Sequence, residues 1–213
     1  LHINGFTDSS ARGYDTHVHP QCYSETKQVQ SIVQKHLGQL FKKWGSKDRG
    51  KKFSNFQVFR DTKMPAVLTE NGFMTNPDDM KLWKNQQFLK ELAKAHAVAI
   101  KEALTYLKGN SVWLDEGHGG KKYPGAVAKD GTREADLVLM LSDMIEAELL
   151  GDDEVTPYVE VKKGDSMYAI AKAKGKKLAD LQKYNPHITD PSLIHVGDII
   201  YLSQPNQLEK DYA

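Results

Sequence analysis

The 213-residue sequence has a single cysteine, Cys22, no long apolar run and almost no net charge. One cysteine excludes an intramolecular disulfide framework and a cysteine-based zinc finger. No stretch approaches the 18 consecutive apolar residues that are typical of a membrane span. The 29 basic and 28 acidic residues leave a net charge of +1, which gives no field to attract nucleic acid or an anionic membrane. The sequence therefore predicts neither of these partners.

The start of the chain also lacks two common features. It begins Leu1-His2-Ile3-Asn4 without a methionine, and no charged and apolar segment of the signal-peptide type follows. The missing methionine suggests a processed, truncated or rearranged chain.

The pattern of predicted strands and helices divides the chain into one medium domain and one small domain. Over residues 1–150, strand-like segments alternate with long helical ones, which predicts an α/β fold with a mostly parallel sheet flanked by helices on both faces. Residues 151–157 are an acidic linker, and residues 158–202 are predicted to form a small α+β domain of strand, helix, helix and strand (βααβ). Residues 203–213 resemble a polar tail.

Periodicity and capping residues predict the elements of the first domain. They indicate a strand over 13–19, a helix over 24–44, a strand over 56–59 and a helix over 77–107. Asn76 and Pro77 suit the start of the last helix, and Asn85 leaves room for a break in it.

The stretch Val112–Glu134 contains a histidine among glycines. An apolar run, Val112-Trp113-Leu114, predicts a buried strand, and His118 follows between Gly117 and Gly119-Gly120. Glu134 begins an amphipathic segment that is spaced for a helix ending near residue 150. A histidine and a glutamate from neighbouring elements suggest metal ligands. The alternative is a glycine-rich turn with a solvent-exposed histidine.

A second informative stretch is Pro65–Gly72. Pro65 suits the start of a strand because it cannot donate to a ladder, and Ala66-Val67-Leu68 then leads directly to Glu70. In an open α/β sheet, ligands bind beyond the carboxyl ends of the strands, so Glu70 is a candidate catalytic carboxylate. The alternative is a solvent-facing glutamate at a strand end.

Three motifs together resemble one family. LDEGHGG with Glu134 downstream, LHIN at the start and MPAVLTENGF resemble the zinc N-acetylmuramoyl-L-alanine amidases of the amidase-3 type, cell-wall hydrolases of bacteria and phage endolysins. The resemblance covers nearly all of residues 1–150. It implies an α/β fold with one catalytic zinc ion (Zn²⁺) held by His2, His118 and Glu134. It also implies that Glu70 is the catalytic glutamate.

Residues 158–202 are similar to a LysM module, which binds glycans that contain N-acetylglucosamine. The similarity lies in YVEVKKGDSMYAIA, LQKYNPHI and LIHVGDIIYL. It places the sugar contacts in two loops, formed by Gly164, Asp165, Ser166 and Met167 and by Asn185, Pro186 and Ile188. Met167 and Ile188 are expected to offer apolar contact. The alternative is that residues such as Gly164 and Pro186 only shape turns.

The order of the two halves departs from the family pattern. In the family the GHGG strand comes first and the LHIN strand lies in the middle, whereas here the LHIN half precedes the GHGG half. The segment that joins the halves in the family is absent. Either a circular permutation joins the old ends through residues 108–110, or the segments stand outside their natural order with a stretch missing.

The resemblance implies a peptidoglycan hydrolase that uses zinc-activated water. The bond cleaved is the amide between N-acetylmuramic acid and L-alanine, and the LysM module targets the enzyme to the cell wall. The expected partner is peptidoglycan, and the expected state is a monomer. Without a signal peptide, an endolysin would stay in the host cytoplasm before release. The alternatives are an inactive peptidoglycan-binding protein and a zinc peptidase acting within the stem peptide.

Overall fold

The computed structural model describes residues 1–119, 122–151, 158–185, 188 and 190–202. The elements of the first domain are β1 (His2–Asn4), β2 (Tyr14–Val18), α1 (Ser24–Lys43), β3 (Asp48–Phe53), α2 (Gln57–Arg60), β4 (Leu68–Phe73), α3 (Pro77–Trp83), α4 (Gln86–Leu107) and α5 (Glu134–Leu150). Those of the second are β5 (Tyr158–Glu160), α6 (Met167–Ala173), α7 (Leu178–Tyr184) and β6 (Ile199–Tyr201).

The first domain contains a four-stranded sheet in the order β1-β4-β2-β3. The pairs β1–β4 and β2–β3 are parallel, whereas β2 and β4 run antiparallel. Two of the three pairings are therefore parallel, and helices flank the sheet. The predicted α/β class is confirmed, with the qualification that the sheet is mixed.

The long helices bury the apolar stripes that the sequence predicts. Helix α4 packs against both α1 and α5, α1 also packs on β2 and β3, and α5 packs on β1. Phe41 of α1 lies at the centre, stacked on Tyr14 of β2 and in edge contact with Phe88 of α4. Each such buried side chain contributes about 1.5–3 kcal/mol by leaving water. No helix of the described residues is both long enough and apolar enough to span a membrane.

The helix after β4 is interrupted where the sequence leaves room for a break. Asn76 caps α3 by accepting from the backbone N–H of Asp78 and Asp79, with Pro77 at the first helical position. Helix α3 ends at Trp83, and the side chain of Asn85 then caps α4. Two caps nine residues apart therefore split the predicted helix in two.

Strand β4 begins later than the sequence predicts. Its ladder starts at Leu68 rather than near Pro65, so Glu70 lies inside the strand instead of beyond its end. Next to Glu70 the strand bulges: His2 pairs with Glu70, whereas Asn4 pairs with Phe73. Gly72, with φ +95°, takes the extra position, because a residue with a Cβ rarely adopts this backbone conformation.

Two predicted strands of the first domain are wrong. Val112–Leu114 lies outside any strand, with Trp113 72% exposed, although a neighbouring backbone hydrogen bond joins Gly117 N to Leu1 O. An apolar run without a ladder of such bonds does not become a strand. The segment 56–59 instead enters the short helix α2, in which only Phe59 is buried.

The second domain has the predicted βααβ order. Strands β5 and β6 pair antiparallel, and α6 and α7 cover them around a core that includes Met167, Ile170 and Leu181. The linker residues 152–157 and the tail 203–213 lie outside the described residues. The domain boundaries therefore remain predictions.

Candidate metal centre

Glu134 is the centre of a cluster in which both carboxylate oxygens are held in place. The residue is 3% exposed at the start of α5. Its Oε1 accepts from the backbone N–H of Ile3 at 3.0 Å, and its Oε2 accepts from the backbone N–H of Ala126 at 2.9 Å. Burial disfavours ionisation, but hydrogen bonds from His2 and the two backbone groups outweigh it and lower the pKa of Glu134.

Two imidazole rings contact this carboxylate from different parts of the chain. His2 Nδ1 lies 3.1 Å from Glu134 Oε1, and His118 Nε2 lies 3.2 Å from Glu134 Oε2. The two ring centroids are 5.0 Å apart and nearly perpendicular. One potential ligand atom from each of the three residues lies within 4.8 Å of the others, and this is the one such group found among the described residues. The structure thus brings together the three predicted ligands.

Two glycines leave the space that the rings occupy. A Cβ on Gly117 would fall on the imidazole of His2. Gly125, with φ +71°, faces the other ring, and a Cβ there would lie 2.6 Å from both Glu134 Oε2 and His118 Cδ2. His118 itself has φ +68°, which is uncommon for a residue with a side chain. The glycine-rich stretch is therefore shaped around the cluster.

Glu70 lies beside the cluster on the neighbouring strand. It is the register partner of His2 across the parallel β1–β4 pair. Its Oε2 is buried and has no hydrogen-bond partner among the described residues. Burial, with the charges of Glu134 and Asp15, raises the pKa of Glu70 to about 8. A buried carboxyl with an unpaired oxygen is typical of a functional group, because such atoms are otherwise satisfied.

The same sheet face carries further polar groups that were not predicted as site residues. Tyr14 and Thr16 of β2 contact Phe41 and Gln34 of α1, so the alternating side chains of Asp15 and His17 point to the opposite face. Asp15 pairs with Glu70 across β2 and β4, which places both side chains on that face. We call this side of the sheet, with Asp15, His17 and Glu70, the polar face.

Hydrogen bonds organise the polar face around Asp15. Its Oδ1 lies 2.7 Å from His17 Nε2, and its Oδ2 accepts from Arg49 Nε at 2.7 Å. The other ring nitrogen of His17 is 2.7 Å from Ser54 Oγ. Burial disfavours ionisation of Asp15, but His17 and Arg49 outweigh it and lower the pKa of this carboxyl. The alternation in the letters GYDTHVH is the signal that could have identified Asp15.

A buried amide ties the strand of His2 to the helix layer. Asn71 Nδ2 donates to the carbonyl of His2 at 3.1 Å, and Asn71 Oδ1 lies 2.9 Å from His96 Nε2 on α4. His96 is fully buried, and burial lowers its pKa to about 3, so the ring is neutral at pH 7. A neutral ring can donate this hydrogen bond and thereby fix the orientation of the amide.

The two predicted glycan loops are largely engaged inside the small domain. Ser166 Oγ caps α6, and Asp165 Oδ2 accepts from the backbone N–H of Lys162. Met167 is 1% exposed, so its side chain packs in the core and is not available for the expected apolar contact. Asn185, also buried, bonds to backbone groups of Leu181 and Tyr201.

The remaining residues of these loops have less defined roles. Gly164, with φ +91°, shapes the turn, and Ile188 packs partly buried against the small core. Pro186 lies outside the described residues. Glycan binding by these two loops remains a prediction.

Comparisons with known proteins agree with the two-part layout. Residues 1–102 match the family model described as N-acetylmuramoyl-L-alanine amidase, and residues 159–203 match the model of the LysM domain. The chain is therefore similar to an amidase model in its first part and to a LysM model in its small second part. The amidase match includes His2 and Glu70 and ends before His118 and Glu134.

Similar curated proteins come from a phage and from a bacterium. The chain is 39% identical over 110 residues to an endolysin of Bacillus phage SPP1, covering 51% of this chain and 40% of that protein. It is 32% identical over 114 residues to a sporulation-specific N-acetylmuramoyl-L-alanine amidase of Bacillus subtilis (strain 168), covering 54% and 42%. The chain thus spans about two fifths of the length of these curated relatives.

Among solved structures, the catalytic domain of the amidase CwlV from Bacillus (Paenibacillus) polymyxa var. colistinus matches with a TM-score of 0.44. The identity is 30%, and the match covers 49% of this chain and 55% of that one.

Proposed function

We propose that this protein is a zinc-dependent N-acetylmuramoyl-L-alanine amidase whose LysM domain holds it on peptidoglycan. The observation that carries the proposal is the convergence of His2, His118 and Glu134 beside a buried Glu70. The amidase-family match over residues 1–102 and the LysM match over residues 159–203 support the choice of substrate.

The donor set of the cluster fits a zinc ion. Two histidines and one carboxylate are a known ligand set of catalytic zinc, which keeps a further position open for water or substrate. His2, His118 and Glu134 would hold the ion, and the backbone bonds to Glu134 from Ile3 and Ala126 orient its carboxylate. Bound there, zinc would supply Lewis-acid polarisation of a carbonyl and acidify water.

Glu70 is the group that moves the proton. It takes a proton from the attacking water as general base and returns it to the leaving nitrogen of L-alanine as general acid. Its high pKa suits the second role. The first role requires the ionised carboxylate. A zinc ion at the neighbouring cluster would lower the pKa of Glu70 and so oppose the negative charges of Glu134 and Asp15, which raise it. No covalent intermediate is needed, so Cys22 has no part in the reaction.

The LysM domain raises the local substrate concentration. A module that binds the glycan keeps the tethered catalytic domain near many stem peptides, so that each encounter after the first is effectively intramolecular. Peptidoglycan is therefore both the substrate and the binding partner in this proposal, and the cell wall is the site of action.

The experiment compares Glu70→Gln with the unaltered protein on purified peptidoglycan. Zinc content, measured by metal analysis, should stay at the same stoichiometry, because Glu70 is not one of the proposed ligands. Hydrolysis should fall about 10²-fold or more, the range expected for loss of a general acid–base group. Glu102→Gln, an exposed glutamate on α4, is the matched control and should retain full activity.

The products identify the bond that is cleaved. Mass spectrometry should find new L-alanine amino groups beside intact lactyl ends. New amino groups within the stem peptide would instead indicate a peptidase, and wall binding without release would indicate an inactive binding protein. Chelation should stop hydrolysis and added zinc should restore it. Unchanged turnover in Glu70→Gln would contradict the assigned role of Glu70.

A further inference from the structure

Arg49 places a fixed cation on the polar face. Its Nε donates to Asp15 Oδ2 at 2.7 Å, and its guanidinium carbon lies 4.8 Å from the centre of the Phe73 ring. Arg49 lies at an irregularity in the β2–β3 register, where Tyr14 pairs with Asp48 and Asp15 pairs with Gly50. Arg49, between Asp48 and Gly50, has no register partner on β2, and its side chain points toward Asp15. One hydrogen bond and one stacking contact therefore fix the guanidinium.

The terminal nitrogens of this guanidinium remain open to a ligand. The side chain of Arg49 is 33% exposed, and neither terminal nitrogen contacts an acceptor among the described residues. A planar guanidinium held through Nε presents its other N–H groups in the geometry of a carboxylate. Asp15 lies beside it, so Arg49 offsets the charge of this buried carboxylate on the polar face.

The position of Arg49 suits a substrate group a short way from the scissile bond. Phe73, on which the guanidinium stacks, lies beyond Glu70 on β4, and because β4 bulges between them this segment runs beside only two residue steps of β1, about 7 Å at about 3.3 Å per residue. An extended peptide covers that distance in about two residues, or in three that are not fully extended.

We propose that Arg49 binds a carboxylate of the stem peptide, two or three residues beyond the scissile amide, and so selects acidic over amidated peptides. This inference rests on the proposed amidase function. Asp15 acts as a positioning residue, because it holds Nε and leaves the terminal N–H groups free for the substrate.

The test uses pairs of synthetic N-acetylmuramoyl-L-alanyl peptides that differ only in a carboxylate or a carboxamide. One pair carries the change at the second residue and another at the third. The full-length zinc-loaded protein should hydrolyse the carboxylate form of one pair with a KM about tenfold lower, the size expected for a partly exposed charge-assisted hydrogen bond. In Arg49→Gln the KM ratio of that pair should fall to about one.

Two matched variants separate recognition from structure. Arg49→Lys keeps the charge without the planar fork and should retain part of the preference. Lys51→Gln removes a cation from the same strand whose Nζ points to Ser31 of α1, away from the polar face, and should keep the full preference. A ratio of one in the unaltered protein, or an unchanged ratio in Arg49→Gln, would overturn the proposal.

Binding measured by calorimetry makes the result independent of turnover. If the unaltered protein hydrolyses none of the peptides, the proposed amidase function fails. The Kd ratio of the same pairs then still tests Arg49. A tenfold difference in the unaltered protein that disappears in Arg49→Gln supports carboxylate recognition, and equal Kd values contradict it. If Arg49→Gln does not fold, the comparison is made with Arg49→Lys, for which a reduced ratio is expected and an unchanged ratio overturns the proposal.

Discussion

Gly117 is the residue on which the position of His2 depends most directly. A Cβ at Gly117 would overlap the His2 imidazole, and the ring cannot move away without losing its contact with Glu134. Gly119, one residue beyond His118, has nothing within 4 Å of an added Cβ and no positive φ. Gly117 and Gly119 both flank His118, but of these two only Gly117 makes room for the cluster.

We expect Gly117→Ala to weaken zinc binding strongly, because the new methyl group displaces His2, one of the three proposed ligands. Gly119→Ala, which adds the same methyl group into open space, should bind zinc as the unaltered protein does. Competition with a chelator of known affinity measures both. Equal zinc affinity in the two variants would mean that His2 is not positioned by Gly117.

Individual residues show which parts of the candidate site the sequence could predict and which parts it could not. His2, His118, Glu134 and Glu70 were predicted because their motifs resemble a family, and the structure brings them together. Arg49 was not predicted, because its orientation depends on a register irregularity that no local pattern in the sequence reveals. Met167 was expected to contact sugar, although as the first residue of an amphipathic helix it packs inward.

At the scale of elements, Asp79 joins three segments around the bulge beside Glu70. Its carboxylate accepts from the backbone N–H of Gly13 at 2.8 Å, from that of Phe73 at 3.0 Å and from Ser46 Oγ at 2.7 Å. Asp79 is fully buried in the first turn of α3. It therefore links the start of β2, the end of β4 and the turn after α1.

Asp79→Ala should lower the free energy of unfolding by about 3 kcal/mol or more, because it leaves two buried backbone N–H groups unpaired. Asp78→Ala is the matched control, since Asp78 is the preceding residue and its side chain, among the described residues, makes exposed ion pairs with Arg12 and Lys81. Its effect should be much smaller. Urea unfolding followed by circular dichroism measures both. Equal midpoints would contradict the linking role of Asp79.

Helices were predicted more reliably than strands in this chain, for a physical reason. A helix such as α5 satisfies its own backbone, so the periodic stripe from Glu134 onwards is sufficient to predict it. A strand needs a neighbour. Val112–Leu114 has the composition of a strand but lies outside the sheet, and Phe56–Phe59 enters a helical turn instead.

At the scale of the whole molecule, the proposed function gives the two domains different tasks, which one substitution should separate. Asn185 connects α7 to β6 in the small domain. Its Oδ1 accepts from the backbone N–H of Tyr201, and its Nδ2 donates to the carbonyls of Leu181 and Tyr201. Because Asn185 is buried, an apolar replacement removes all three of these buried hydrogen bonds. The apolar core of this domain has only seven buried side chains among the described residues, which is too few to compensate.

Asn185→Leu should therefore unfold the small domain and abolish sedimentation with insoluble peptidoglycan. Hydrolysis of a small soluble N-acetylmuramoyl-L-alanyl peptide should continue, because His2, Glu70, His118 and Glu134 all lie in the first domain. Lys172→Ala, at an exposed position of α6, is the control and should bind the wall normally.

If Asn185→Leu still sediments with peptidoglycan, wall binding does not depend on the LysM domain. If it loses activity on the soluble peptide as well, the small domain supports the catalytic fold and is more than a tether. Only the combination of lost sedimentation with retained hydrolysis fits a module that acts by raising local substrate concentration.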